Sequence, residues 1–264
     1  MDSQRPESGP EGGPPNPRVP GTFDQAARAE LTQALTDAVG GADPREIPAR
    51  LCRACVEFLD VTGASISLSG GPGMRTLWWS SDEVAGHLAE AQYTLGDGPC
   101  QSALTLVAPV LANDLTSGPD AERWPAFAQR AVELGVRAVF SLPLGSEALA
   151  IGTLDLYRQT AGALSQRDLA FAFPAGDAIT FALLRLQDGD RPEDGDPHHR
   201  AQSWLSTAEQ EHEEVYYATG MLMVGLQVDA PYALARLRAY AFAEGRTVTE
   251  VARDVIERRV VLDE

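Results

Sequence analysis

Residues 138–157 read AVFSLPLGSEALAIGTLDLY and contain two strand-like runs, at 138–144 and 149–157. Runs of this length, rich in β-branched and aromatic residues, are typical of β-strands. Upstream, ASISLS at 64–69 alternates as a strand does, and residues 74–80 form a second run of this kind. Glycines between those two runs favour a tight turn, and a short strand-like run at 108–112 completes the set. We therefore expect five strands.

Helical patterns separate these strands. The segment 45–59, for example, has apolar residues at 47, 51, 55, 58 and 59, the spacing of a helix with one buried face. Mixed strands with helices at both ends predict an α+β fold, a three-layer sandwich, for residues 23–186. The predicted helices span 24–39, 45–59, 82–91, 100–106, 125–134 and 166–186.

Two stretches are too polar and too rich in proline and glycine to fold alone. Residues 1–22 contain five prolines from Pro10 to Pro20 and almost no apolar side chains, which predicts a disordered tail. Residues 187–200 are acidic, with Gly and Pro, and are expected to be a linker. A separate C-terminal domain is therefore predicted at 201–264.

Three helices are predicted in this C-terminal domain. The first, 201–227, is apolar on two sides: one side has Trp204, Ala208, Val215, Ala218, Leu222 and Leu226, and the other has Tyr217, Met221 and Val224. A helix with two apolar sides needs two partners. One side can build an all-α three-helix bundle, and the other must meet a second subunit or the helix at 166–186. We expect a homodimer.

Capping residues delimit the other two helices. Asp229 is a good N-cap with Pro231 in the first turn, and Gly245 is placed to end that helix. Thr247 and Glu250 have the spacing of a capping box before a third helix.

The overall charge restricts the choice of partners. The 264 residues have a formal net charge of −17, and all 21 basic residues are arginine. An acidic chain has no general affinity for nucleic acid, so any such site must be a local basic patch. We see no signal peptide and no apolar run long enough for a membrane span, and three cysteines do not make a disulfide framework; a cytoplasmic protein is expected.

No catalytic pattern is present in the sequence. It lacks GxSxG, HExxH, Walker and Rossmann glycine motifs, so we expect no catalytic residues, no metal, no cofactor and no enzymatic activity. Cys52 and Cys55 form a CxxC inside a helical pattern, where structural thiols are favoured over metal ligands or a redox pair. Cys100 follows Gly-Pro at a helix start, where a helix dipole can lower a thiol pKa, although small-residue packing is the default interpretation.

The region 23–186 resembles a GAF domain. The matching motifs, in order, are GDGPC (96–100), ANDL (112–115), WPAFAQRAVELGVRAV (124–139), SLPL (141–144) and IGTLDLY (151–157). The resemblance implies a sensory module, and GAF domains often hold a small ligand between the sheet and its covering helices. It does not identify the ligand.

The C-terminal domain resembles the ANTAR domain, the RNA-binding antiterminator module of bacterial regulators. The matching motifs are ATGMLM (218–223), ALARLRAYA (233–241) and VARDVIERR (251–259). Many family members have lysine where this chain has Thr219, and its loss removes a charge that binds phosphate. The resemblance implies that the partner is structured RNA, namely hairpins of a nascent transcript.

A local basic patch is consistent with this implication. Residues 236–259 contain 6 Arg against 4 acidic residues, and no other part of this domain has a positive local charge. Tyr240 lies among these arginines, and looped RNA bases stack on aromatic rings and guanidinium planes. The predicted RNA-binding residues are Thr219, Gly220, Arg236, Arg238, Tyr240, Arg246 and Arg253.

We therefore interpret the chain as an antitermination regulator in which a GAF domain senses a signal and controls RNA binding by the helical bundle. The alternative is a signalling protein whose bundle serves for dimerisation or protein partners only. Duplex-DNA binding by a helix-turn-helix is disfavoured, because the third helix uses its periodic positions for burial.

Overall fold

A computed structural model of the chain describes residues 33–43, 45–71, 74–146, 149–189 and 213–262. The predicted tail at 1–22 lies outside the described residues, as do the linker from residue 190 onward and residues 201–212 of the first C-terminal helix.

The N-terminal domain is built on one antiparallel sheet of five strands in the order β2-β1-β5-β4-β3. The strands β4 and β5 form the hairpin expected from residues 138–157, and β5 lies at the centre of the sheet. The strand bounds are β1 Gly63–Gly71, β2 Met74–Ser80, β3 Val110–Ala112, β4 Ala138–Ser146 and β5 Leu149–Arg158.

Helices cover both faces of this sheet, so the predicted α+β sandwich is confirmed. The helices α2 and α7 pack together on one face, and α3 and α4 cover the other. The helix bounds in this domain are α1 33–39, α2 Ile47–Phe58, α3 Glu83–Leu95, α4 Pro99–Leu106, α5 Gly118–Arg123, α6 Pro125–Glu133 and α7 Gln166–Gly189.

The two faces of the sheet differ in polarity. Alternate residues of the central strands, such as Ile66, Phe140 and Leu154, point toward α2 and α7 and are fully buried in an apolar core. Their neighbours in sequence point toward α3 and α4, and many of these are polar. Because helices cover both faces, β4 is buried over most of its length.

Every predicted strand is present, and the helix boundaries differ by a few residues. The prediction missed α5, a short helix without buried side chains, because it has no apolar periodicity to detect. Helix α3 is longer than predicted and ends at Leu95, before Gly96. Helix α7 reaches Gly189, three residues into the predicted linker. No helix in the described ranges is long and apolar enough to cross a bilayer.

The C-terminal domain is a three-helix bundle, as predicted. Its helices are α8 (213–226 in the described residues), α9 Ala230–Ala243 and α10 Val248–Ile256. The Asp229 side chain accepts a hydrogen bond from the Tyr232 N–H, and Thr247 and Glu250 form the reciprocal capping box. The shared core consists of residues from all three helices, including Val215, Ala218, Leu222, Leu237, Ala241, Val251 and Val255.

The cap of α9 generates a stability prediction. Asp229→Ala removes the acceptor of the Tyr232 N–H, which is 2.9 Å from Oδ1, and an N-cap of this kind contributes about 1 kcal/mol. We expect the free energy of unfolding of the bundle, measured by urea titration and circular dichroism, to fall by about that amount. Asp229→Asn retains a capping oxygen and should cost little; an equal loss in both variants would show that the side-chain oxygen is not the cause.

Candidate nucleic-acid interface

Arg238 on α9 is directed at the N-terminal domain. Its guanidinium carbon lies 5.4 Å from the centroid of the Tyr93 ring on α3, in a cation–π arrangement. Burial lowers the pKa of the Arg238 guanidinium, and the positive charge of Arg75 lowers it further, while Tyr93 acts in the opposite direction. The residue that the sequence places in a basic RNA-binding patch is therefore half-buried between the two domains.

Two other predicted arginines are paired with acidic side chains of the bundle. Arg246 Nη2 lies 2.7 Å from Asp254 Oδ2, and Arg253 Nη2 lies 3.3 Å from Glu214 Oε1 on α8. Asp254 also accepts a hydrogen bond from Arg259. The hydrogen bonds from Arg246 and Arg259 keep the pKa of the Asp254 carboxyl below its usual range. Much of the positive charge counted over 236–259 is thus compensated within the bundle.

The two candidate residues on α8 differ in their surroundings. The Thr219 hydroxyl donates to the carbonyl oxygen of Val215, one turn earlier, at 2.6 Å. Gly220 is exposed, and a Cβ added there would meet no atom of the described residues within 4 Å. No neighbouring helix of the described residues therefore packs closely against Gly220, and close approach by a partner is sterically open.

The candidate residues do not converge on one pocket. Arg236 and Tyr240 are half-buried on α9, with Tyr240 packed against the bundle core. Arg253 is tied to α8 through Glu214, and Arg238 is turned toward the N-terminal domain. The exposed part of the predicted set lies on α8 and α10.

The contact between the two domains centres on the end of α3. The Tyr93 side chain packs within the core cluster of the bundle, and the Val248 N–H donates to Thr94 Oγ1 at 3.1 Å. Gly96 ends α3 with φ of 65°, and a Cβ there would lie 2.8 Å from Arg238 Nη1. Glycine at this position both allows the left-handed conformation and lets Arg238 lie against the backbone.

The other side of α3 borders a cavity of about 70 Å³ above strands β1 and β2. Ser67 and Arg75 form its floor, and Arg75 is only 3% exposed. Arg75 Nη2 donates to Ser67 Oγ at 3.3 Å. The remaining lining residues are Leu77, Gly86, Ala89, Glu90 and Tyr93.

Beside this cavity, a buried polar network crosses the sheet under α4. Asp155 accepts hydrogen bonds from the hydroxyls of Ser141 and Thr153, and Thr153 Oγ1 lies 2.9 Å from Cys100 Sγ. Burial raises the pKa of the Cys100 thiol well above its usual value. Burial therefore favours packing, the default interpretation of Cys100, over activation by the helix dipole.

Cys52 and Cys55 are likewise buried free thiols inside α2. Burial raises the pKa of Cys55 to about 12. Both residues have the structural role that the helical pattern favours.

Comparison with family models assigns the two domains. The model of the GAF domain matches residues 41–184, which is more than half of the chain. This chain belongs to the GAF domain family. The model of the ANTAR domain matches residues 205–256, so the GAF domain is followed by an ANTAR domain, as both resemblances imply. No curated protein matches the chain at a significant level.

Solved structures with GAF-like folds align with the sandwich at low identity. A GAF domain of a phosphoenolpyruvate-protein phosphotransferase from Coxiella burnetii is 13% identical, with 62% of this chain and 96% of that one covered and a TM-score of 0.48. The free methionine-R-sulfoxide reductase of Neisseria meningitidis is 16% identical, with 64% and 96% covered and a TM-score of 0.46. A GAF domain/HD domain protein from Geobacter sulfurreducens is 14% identical, with 58% and 97% covered and a TM-score of 0.44.

Sequence reasoning missed the contact between the two domains and the buried charge beside it. Arg75 is the second residue of strand β2, and a charged residue within a strand pattern is a signal visible in the sequence. The polar residues at alternate positions of SISLS and GTLDL predict strands but do not predict burial. Their burial depends on helices covering both faces of the sheet, which periodicity within one strand does not reveal.

The contact between Thr94 and Val248 generates a prediction for domain docking. Thr94→Val removes the acceptor of the Val248 N–H, and a single neutral hydrogen bond contributes about 1 kcal/mol. We expect hydrogen exchange at the Val248 amide to accelerate roughly five- to tenfold. The matched control is Thr105→Val at an exposed position of α4, which loses only its hydrogen bond to the Gln101 carbonyl. Equal protection of Val248 in wild type and Thr94→Val would contradict the docking contact.

Proposed function

We propose that this protein is an RNA-binding antitermination regulator of the cytoplasm. Its ANTAR domain binds hairpins of a nascent transcript so that polymerase reads through, and its GAF domain senses a signal and controls that binding. The observation that carries the proposal is the match of an ANTAR domain to 205–256, on a bundle whose caps and core are those expected from the sequence.

The arginines of α9 and α10, with Arg258 just beyond α10, provide the surface for RNA. Arg253 is exposed and pairs with Glu214, which it can exchange for a phosphate oxygen, and Arg258 is also exposed. Arg238 joins this surface only when the bundle leaves α3, because in the docked arrangement its guanidinium lies over Tyr93. Undocking therefore enlarges the basic surface.

The proposed role involves no catalysis and no cofactor. The Asp254 carboxylate is paired with arginines, and the Asp155 carboxylate accepts hydrogen bonds from hydroxyls. Both carboxylates serve structure in this proposal, and the GAF domain acts by binding a ligand.

A second candidate function has its own support. The ion pairs of Arg246 and Arg253 reduce the net positive charge available to RNA, and α8 exposes apolar side chains that suit a protein surface. These features favour a signalling protein whose bundle binds protein partners or dimerises without contacting RNA. RNA-binding measurements separate the two candidates.

The triple variant Arg236→Ala, Arg238→Ala, Arg246→Ala tests the RNA proposal. In electrophoretic shift assays with a two-hairpin RNA at several salt concentrations, we expect the triple variant to bind at least tenfold more weakly. We also expect a shallower dependence of its affinity on salt, because phosphate-binding charges are lost.

Arg123→Ala, Arg130→Ala, Arg137→Ala is the control, since it changes the net charge equally at exposed positions of the GAF domain. If the folded triple variant binds RNA like wild type, the arginine assignment is wrong and the protein-partner function takes precedence.

The exposed side of α8 supports a homodimer. Val224 is 81% exposed and Tyr217 is 62% exposed, and with Met221 they form an apolar strip that the described part of the GAF domain leaves uncovered. Such strips are typical of association surfaces. We expect wild type to be dimeric by light scattering at micromolar concentration and Val224→Arg to be monomeric. Val132→Arg, at an exposed position of α6, should leave the dimer intact. A monomeric wild type would refute the proposal.

A further inference from the structure

Helix α3 belongs to two structural units at once. Along one side, Gly86, Ala89 and Tyr93 border the cavity above strands β1 and β2. At its end, Tyr93 packs in the core cluster of the ANTAR bundle, and Thr94 accepts the Val248 N–H. Tyr93 is therefore shared between the cavity wall and the domain contact, so a ligand in the cavity lies one side chain from the bundle.

The floor of the cavity holds a buried cation. Arg75 is 3% exposed, and within the described residues no carboxylate forms a salt bridge with it. Its Nη2 has the Ser67 hydroxyl, whereas Nε and Nη1 are buried without a hydrogen-bond partner in this part of the chain. Burying a guanidinium in this way is costly unless a counter-charge and hydrogen-bond acceptors are supplied.

The size and lining of the cavity define the missing group. A volume of about 70 Å³ admits only a molecule of a few heavy atoms, since one water occupies about 30 Å³ in the liquid. A carboxylate matches the planar guanidinium in charge and in hydrogen-bonding geometry. The Leu77, Ala89 and Tyr93 side chains suit a short aliphatic tail, which inorganic phosphate lacks.

We propose that a short organic monocarboxylate binds beside Arg75 and that its binding strengthens the docking of the ANTAR domain on α3. The role of this ligand as a signal rests on the proposed function. Its binding and the response of the docked ANTAR domain can nevertheless be measured without RNA. The ligand then acts as a repressor of RNA binding, since docking holds Arg238 over Tyr93.

The direction of the effect follows from the charges around Tyr93. Arg75 lines the cavity beside Tyr93, and the Arg238 guanidinium lies over the same ring. Two like charges near one ring repel each other, and accordingly Arg75 lowers the pKa of the Arg238 guanidinium. A carboxylate beside Arg75 offsets this repulsion and favours the state in which Arg238 is docked. By linkage, RNA that requires free Arg238 must bind more weakly when the carboxylate is present.

Thermal unfolding of the full-length protein tests the binding site. With acetate or propionate at several times its Kd, and chloride at equal ionic strength as reference, we expect Tm to rise by roughly 2–4 °C. Inorganic phosphate should give no such rise. Arg75→Gln and the cavity-filling variant Ala89→Leu, each checked by circular dichroism, should not respond, while Arg167→Gln at an exposed position of α7 should respond like wild type.

Hydrogen exchange at the Val248 amide, without RNA, tests the coupling. We expect the carboxylate to slow this exchange at least threefold in wild type and to leave it unchanged in Ala89→Leu. Absence of any Tm rise in wild type, a response to phosphate alone, or Val248 exchange that is unchanged or faster would each overturn the inference. RNA binding by the same preparation is scored separately: if it fails while the carboxylate response is present, only the output function is wrong.

Discussion

The packing of α3 between two partners is the constraint on which the arrangement of the molecule depends. Its buried side chains close the polar side of the GAF sheet, and its last turn receives α9 and α10 of the ANTAR domain. Gly96 follows immediately, because the chain needs a left-handed conformation there, and a Cβ at this position would force the docked Arg238 side chain to shift. A displacement of this helix changes the cavity and the domain contact together.

The two faces of the sheet are stabilised by different interactions. The face toward α2 and α7 is a continuous apolar core, which supplies stabilisation in proportion to the apolar area removed from water. The face toward α3 and α4 holds Ser67, Arg75 and Asp155, whose burial depends on specific hydrogen bonds and charge pairing. Such a face is sensitive to the addition of one small charged group, whereas an apolar core is not.

Much of the fold could be predicted from the sequence because its signals are local. Five strands, the long α7 and the caps at Asp229 and Thr247 are encoded within a few residues of where they act. The short α5 was missed because it buries no side chain and so has no apolar periodicity.

The candidate site was less predictable, because its features depend on distant partners. The sequence identified Arg238, Arg246 and Arg253 as basic residues in a positive segment, but the pairing of Arg253 with Glu214 spans two helices. The position of Arg238 over Tyr93 joins two domains. A count of charges along the chain does not contain this information. The signal that was available is Arg75, a charged residue within the pattern of strand β2.

We propose that the docked state and the RNA-bound state exclude each other. Hydrogen exchange at the Val248 amide of the full-length protein, measured with and without saturating two-hairpin RNA, tests it most directly. If the claim is right, RNA accelerates this exchange, because the bundle must leave Thr94 before Arg238 can contact RNA. Saturating RNA that leaves the Val248 amide equally or better protected would contradict the claim.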